Sequence, residues 1–157
     1  MADNIDELIK IKEHWPNVQV LIRLKTNDQS SLIPLSSKFG ASKQMATRLL
    51  TSAVELGVNV VGCAFHVGTG CYDINAFCHA LESAKWLFDT AEKMELKFDM
   101  KILDIGGGFP GVDEEGKPTF AQMARTINQT LEGLFPKGTS SMTEELLEII
   151  NSSSFFF

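Results

Sequence analysis

The sequence predicts an α/β fold made of βα units around a parallel sheet, on three observations. Apolar, β-rich runs centred near residues 21, 62 and 103 recur about 40 residues apart, and each precedes a segment whose apolar residues have helical spacing. The middle run, Val58 to His66, is almost continuously apolar, as a parallel strand covered on both faces must be. The second and third runs end in small residues, His66-Val67-Gly68-Thr69-Gly70 and Gly106-Gly107-Gly108, where a chain turns sharply out of a strand.

In order, Asp3 to His14 forms a helix with Ile5, Leu8, Ile9 and Ile11 on its apolar face. Asp3, Asp6 and Glu7 fall in its first turn, where the helix dipole favours negative charge, and Pro16 ends it. Val18 to Leu24 is a strand closed by the turn cluster Thr26-Asn27-Asp28. Arg23, a charge near its end, reads first as a side chain paired with a neighbouring carboxylate and packed through its methylenes. Residues 29–37 are polar and interrupted by Pro34. Ser42 then caps a helix carrying Met45, Leu49, Leu50, Ala53 and Val54, with Gly57 at the left-handed position past its end.

After the central strand, Asp73 caps a helix with Phe77, Leu81, Ala84, Phe88 and Ala91 on one stripe, running to about Lys97. A third strand, Met100 to Ile105, leads into the triple glycine. A polar loop over residues 113–118 and a helix from Thr119 to about Leu134 follow. Beyond Pro136 the pattern breaks. Ser141-Met142-Thr143-Glu144 resembles a capping box for a short amphipathic segment, and terminal Phe155-Phe156-Phe157 promotes association if exposed. Three strands are too few to close a barrel, which takes about eight, and too few for a doubly wound sheet.

The 157 residues, 44% hydrophobic and 22% charged, suffice for one globular domain with a core. A net charge of −6 argues against nucleic-acid and anionic-membrane partners, which need clustered Lys and Arg. Cys63, Cys71 and Cys78 contain no CxxC pair, so neither a disulfide framework nor a metal site is signalled and reduced thiols in a cytoplasmic protein are expected. The acidic N-terminus lacks an apolar signal region, and no run of about 18 apolar residues suggests a membrane span.

The two glycine-rich strand ends are the candidate site. Gly106, Gly107 and Gly108 read either as a tight turn or as a backbone nest for phosphate. His66 reads either as a core histidine or as a flat ring for stacking, and Thr69 either as a turn residue or as a hydroxyl donor. Taken together at the carboxyl ends of parallel strands, they suit a phosphorylated aromatic cofactor.

The segments Ser37-Lys38-Phe39-Gly40, Phe65-His66-Val67-Gly68-Thr69-Gly70-Cys71 and Leu103-Asp104-Ile105-Gly106-Gly107-Gly108-Phe109-Pro110-Gly111 occur in this order and spacing. With them the chain resembles eukaryotic ornithine decarboxylases over residues 3–136. The resemblance implies a fold-type III decarboxylase dependent on pyridoxal 5'-phosphate (PLP). Residues 1–136 then form about three βα units of a partial TIM-like, alanine-racemase-like PLP-binding barrel, and residues 137–157 a divergent tail. It further implies that His66 stacks on the cofactor ring and that Thr69, usually serine in the family, helps hold the phosphate. Gly108 with Gly106 and Gly107 would supply backbone N–H groups, Arg23 would lie near the cofactor, and Lys38 toward a homodimer interface.

The implied chemistry is a Schiff base with the amino-acid substrate, loss of its α-carboxylate as CO₂ and reprotonation, turning ornithine into putrescine for polyamine synthesis. The Phe-Pro-Gly after the triple glycine and the Gly-Cys after Thr69 look more like the ornithine type than the diaminopimelate or arginine type. No lysine here sits in the family's Schiff-base motif, expected upstream of Met1, and no Glu-Pro-Gly-Arg motif or β domain follows Pro136. The chain is therefore expected to be an internal piece, inactive alone and with open sheet edges that oppose folding. A different class, a non-catalytic homologue resembling antizyme inhibitors, tends to lose the small residues that stand here as Gly68, Thr69 and Gly70. A third class, an unrelated phosphate-binding βα protein, would need three ordered motifs by coincidence.

Overall fold

Among the described residues, four parallel strands lie side by side in the order of the chain, β1-β2-β3-β4. The computed structural model describes residues 1–96 and 98–136 and the backbone of residues 148–150. Its elements are α1 (Ile5–His14), β1 (Gln19–Arg23), α2 (Lys43–Leu56), β2 (Asn59–Ala64), α3 (Ile74–Lys93), β3 (Ile102–Asp104), α4 (Phe120–Leu134) and β4 (Glu148–Ile150). Because parallel crossovers are right-handed as a rule, a strand order without reversal puts the helices on the same face of the sheet. The helices accordingly pack in sequence, α1 on α2, α2 on α3 and α3 on α4. This is the winding of a (β/α) barrel rather than of a doubly wound sheet, the choice that composition and spacing leave open.

The helices begin where local chemistry starts them. Ser42 Oγ accepts the Met45 N–H at 3.2 Å, and Asp73 Oδ1 accepts the Asn75 N–H at 3.0 Å. Thr119 and Gln122 form a reciprocal capping box on α4, and Gly57 closes α2 at φ 63°. Two expectations are corrected. Asp3 is not in the first turn of α1, which Asn4 caps through the Glu7 N–H; its carboxylate instead accepts the Gly40 N–H at 2.8 Å. Helix α3 stops at Lys93, not near Lys97. Glu95 adopts φ 52°, and the Leu96 N–H returns to the Ala91 carbonyl at 3.2 Å, a left-handed stop with no glycine to announce it.

Burial, more than strand length, secures the sheet, since β3 has only three residues. Leu8 of α1, Leu49 and Leu50 of α2, Phe77, Leu81 and Leu87 of α3 and Met123 of α4 are fully enclosed in one cluster with Val20, Ile22, Val60 and Leu103. Each such side chain contributes ~1.5–3 kcal/mol on leaving water. Every residue of β2 after Asn59 is buried, as its continuous apolar run requires.

The sheet also reaches past the three strands expected. Glu148–Ile150 pairs parallel with β3, Leu103 opposite Ile149, within the stretch read as a tail. A short Leu-Leu-Glu-Ile-Ile run suits a strand or a helix by periodicity, and pairing decides between them. The capping box at Ser141 to Glu144 and the terminal phenylalanines lie outside the described residues. Among the described residues, no helix is long and apolar enough to cross a membrane.

Candidate functional site

The strands end level. Arg23 pairs with Ala64, Ala64 with Asp104 and Asp104 with Ile150, so the loops leaving β1, β2 and β3 meet at one edge of the sheet. Their backbones interlock. The Leu24 N–H donates to the Ala64 carbonyl (2.8 Å), the Phe65 N–H to Asp104 (3.0 Å) and the Cys71 N–H to Gly108 (2.8 Å). The Thr26 hydroxyl reaches across to the His66 carbonyl at 2.7 Å. His66, Thr69, Gly106, Gly107, Gly108 and Arg23 are thereby gathered from three loops into one region.

The triple glycine lies directly against the His66 loop. A Cβ on Gly106 would sit 2.0 Å from the Phe65 carbonyl oxygen, and one on Gly108 2.0 Å from that of Gly68; their φ values are +65° and +100°. The first reading of the triplet therefore holds: at Gly106 and Gly108 it is a turn that only glycine can make. The Gly106 N–H donates to Asp104 Oδ1 at 2.8 Å. Among the described residues the N–H groups of Gly107 and Gly108 have no acceptor.

His66 is half-buried, and its Nδ1 accepts the Gly68 N–H at 3.0 Å. An accepting Nδ1 puts the proton of the neutral ring on Nε2. Burial, reinforced by the Arg23 charge, lowers the imidazole below its ordinary range; the Asp104 and Asp28 carboxylates oppose this without reversing it. The ring is neutral at pH 7. As pH falls below about 6.5 the unfolded chain takes up this proton first, so the stability contributed by neutral His66 is complete above about 6.5 and is lost on the way down to the lower folded value. His66→Gln should therefore show a flatter urea-midpoint profile between pH 7 and 5.5 than the parent, and superimposable profiles would refute the assignment.

Arg23 has a different neighbour from the carboxylate that its sequence context suggests. Its guanidinium lies over the Phe39 ring, 4.9 Å from the centroid. Phe39 belongs to the Ser37-Lys38-Phe39-Gly40 segment, whose Lys38 is exposed. Thr69 is also exposed, with its backbone held between Ile33 and Leu32. The thiols of Cys63 and Cys71 are pushed up by burial, Cys63 also by the Asp104 charge, so neither is a thiolate at pH 7.

Two buried carboxylates at this edge escape a reading by motif. Asp104 orders the glycine turn, and its signal in the sequence is an acid inside an apolar strand just before Gly106. Asp28, 2% exposed, accepts from the Leu35 N–H, the Ser36 N–H (2.6 Å) and the Ser36 hydroxyl. Burial pushes its pKa up, but the hydrogen bonds from Ser36 and Leu35 outweigh it and hold the carboxyl below the usual range. In the sequence it is one residue of an ordinary turn cluster.

A flat neutral ring, a solvent-facing hydroxyl, two backbone N–H donors and a guanidinium fit a ligand with an aromatic face and a phosphate. Comparison with known proteins points the same way. Residues 1–148 match the family described as pyridoxal-dependent decarboxylase, pyridoxal binding domain. The chain is 40% identical to an ornithine decarboxylase of Caenorhabditis elegans, covering 91% of this chain and 33% of that one. It is 42% identical to antizyme inhibitor 2 of Xenopus laevis over 87% of this chain and 29% of that one. The fold is similar to a crystal structure of a mutant lysine decarboxylase of Selenomonas ruminantium in complex with PLP. There the TM-score is 0.80 at 33% identity, covering 95% of this chain and 36% of the other. The chain thus spans about a third of the length of these relatives.

Proposed function

Because this chain belongs to the pyridoxal-dependent decarboxylase family, through its pyridoxal-binding domain, we propose that the level strand ends hold PLP, as part of an ornithine decarboxylase-type enzyme. The observation that carries the proposal is the contact between a neutral, oriented His66 and a glycine turn whose Gly107 and Gly108 N–H groups have no acceptor among the described residues. His66 offers its face to the pyridine ring. Being neutral, it adds no charge against the ring, and the Gly68 N–H keeps it from rotating. The Thr69 hydroxyl and the Gly107 and Gly108 N–H groups donate to the phosphate, and the Arg23 guanidinium balances part of its charge. When bound, the cofactor would supply the electron sink that accepts the electron pair left on an amino acid's α-carbon as CO₂ departs.

Ornithine as substrate follows, as part of this proposal, from similarity to ornithine decarboxylases, and the motif resemblance extends the proposal to a homodimeric assembly. The 42% identity to antizyme inhibitor 2 favours a second reading, a homologue of that protein without a cofactor.

Calorimetric titration with pyridoxamine 5'-phosphate, which cannot condense with lysines, separates the two. The first reading expects saturable binding that weakens at least tenfold when the phosphate is absent. His66→Ala should weaken it roughly 2- to 10-fold, from the ~0.5–1.5 kcal/mol of an aromatic stack. A folded sample that binds neither pyridoxamine 5'-phosphate nor PLP removes the first reading and leaves the second.

A further inference from the structure

The loop from β1 to α2 carries a buried carboxylate, Asp28, to which the cofactor reading assigns no task. We propose that Asp28 is a positioning residue: by fixing residues 28–36 as a strap, it sets the backbone of Gly68-Thr69-Gly70 and so aims the Thr69 hydroxyl. The inference rests on the reading of Thr69 as a phosphate donor.

The strap grips the β2 loop along its length. Ahead of the strap and separate from it, the Thr26 hydroxyl holds the His66 carbonyl at 2.7 Å. In the middle, the Leu32 N–H donates to the Thr69 carbonyl (3.0 Å) and the Thr69 N–H to the Ile33 carbonyl (3.2 Å), a short antiparallel bridge. Ser31 lies so close that a Cβ on Gly68 would fall 2.2 Å from its Oγ. At the back, the Ser30 hydroxyl donates to Asp73, the cap of α3, at 3.0 Å.

Apolar burial does not hold the strap in this shape, since Leu32 is 78% exposed and Ile33 57% exposed. What closes it is Asp28, whose carboxylate takes the Leu35 and Ser36 N–H groups and the Ser36 hydroxyl, while its carbonyl takes the Ser31 N–H (3.1 Å) and hydroxyl (2.7 Å). Hydrogen bonds to a charged acceptor are the strong kind, and this carboxylate receives three of them at one buried point.

Asp28→Asn tests the assignment by turning an amide N–H₂ toward donors that need an acceptor. Amide exchange at Thr69 and Leu32 should accelerate at least tenfold, while the Leu24 amide, bonded to Ala64 in the sheet, keeps its rate. Affinity for pyridoxamine 5'-phosphate should fall roughly tenfold, with less than a twofold change for pyridoxamine, because the strap acts on the phosphate end alone. Unchanged exchange at Thr69, or an equal loss for both ligands, overturns the proposal. Ser36→Ala, which removes one donor and leaves the carboxylate in place, should move the same readouts by a smaller factor and serves if Asp28→Asn does not fold. If the parent chain binds neither ligand, the cofactor reading fails separately, and the exchange rates alone decide whether Asp28 holds the turn.

Discussion

Gly108→Ala should abolish saturable binding of pyridoxamine 5'-phosphate and lower the unfolding free energy by at least about 3 kcal/mol, through backbone strain and overpacking together. The new Cβ would meet the Gly68 carbonyl oxygen at 2.0 Å, and φ +100° is a conformation that alanine rarely adopts. Relief requires separating the β2 and β3 loops, which breaks the Cys71 to Gly108 hydrogen bond and displaces the proposed phosphate donors. Gly111 in the same loop is the control. A Cβ there meets nothing within 4 Å, so Gly111→Ala should leave both affinity and urea midpoint within experimental error of the parent. Equal behaviour of the two variants would mean that the loops are not in contact as described.

Phe77→Ala should cost about 3–5 kcal/mol in urea unfolding, the range for emptying a large buried site. Phe77 is fully buried on α3 and stacks on Phe109 with centroids 4.6 Å apart and an interplanar angle of 20°. Phe109 in turn meets Phe120 of α4 edge-on at 5.6 Å. The stack joins two helices to the residue immediately after Gly108, so the cavity destabilises the core and loosens the glycine turn together. Against a typical total of ~5–15 kcal/mol, such a loss leaves little reserve. Phe77→Leu, which keeps most of the volume, should cost less than half as much. A loss below about 1 kcal/mol for Phe77→Ala would show that α3 does not depend on this contact.

Arg23 illustrates where a motif helps and where it stops. Its place at the end of an apolar strand marks it as unusual, and resemblance directs it toward the cofactor. Neither tells which neighbour steadies it, because Phe39 reaches it only after residues 24–38 have looped away and returned. The same loop hides Asp28. An aspartate in a Thr-Asn-Asp cluster is ordinary turn chemistry until the chain folds back to put Leu35 and Ser36 around it.

What the sequence by itself determined is the local content: the alternation of strands and helices, the caps at Ser42 and Asp73, the left-handed stop at Gly57 and the small residues where β2 and β3 end. These depend on spacings of a few residues, and each is stabilised by neighbours along the chain. Only the tertiary structure decided the rest. The pairing that makes Glu148–Ile150 a strand, the singly wound order and the close approach that demands Gly106 and Gly108 all depend on groups distant in sequence. The open N–H groups of Gly107 and Gly108 arise in the same way: the Asp104 carboxylate takes the Gly106 N–H, and contact with the His66 loop shapes the remainder of the turn.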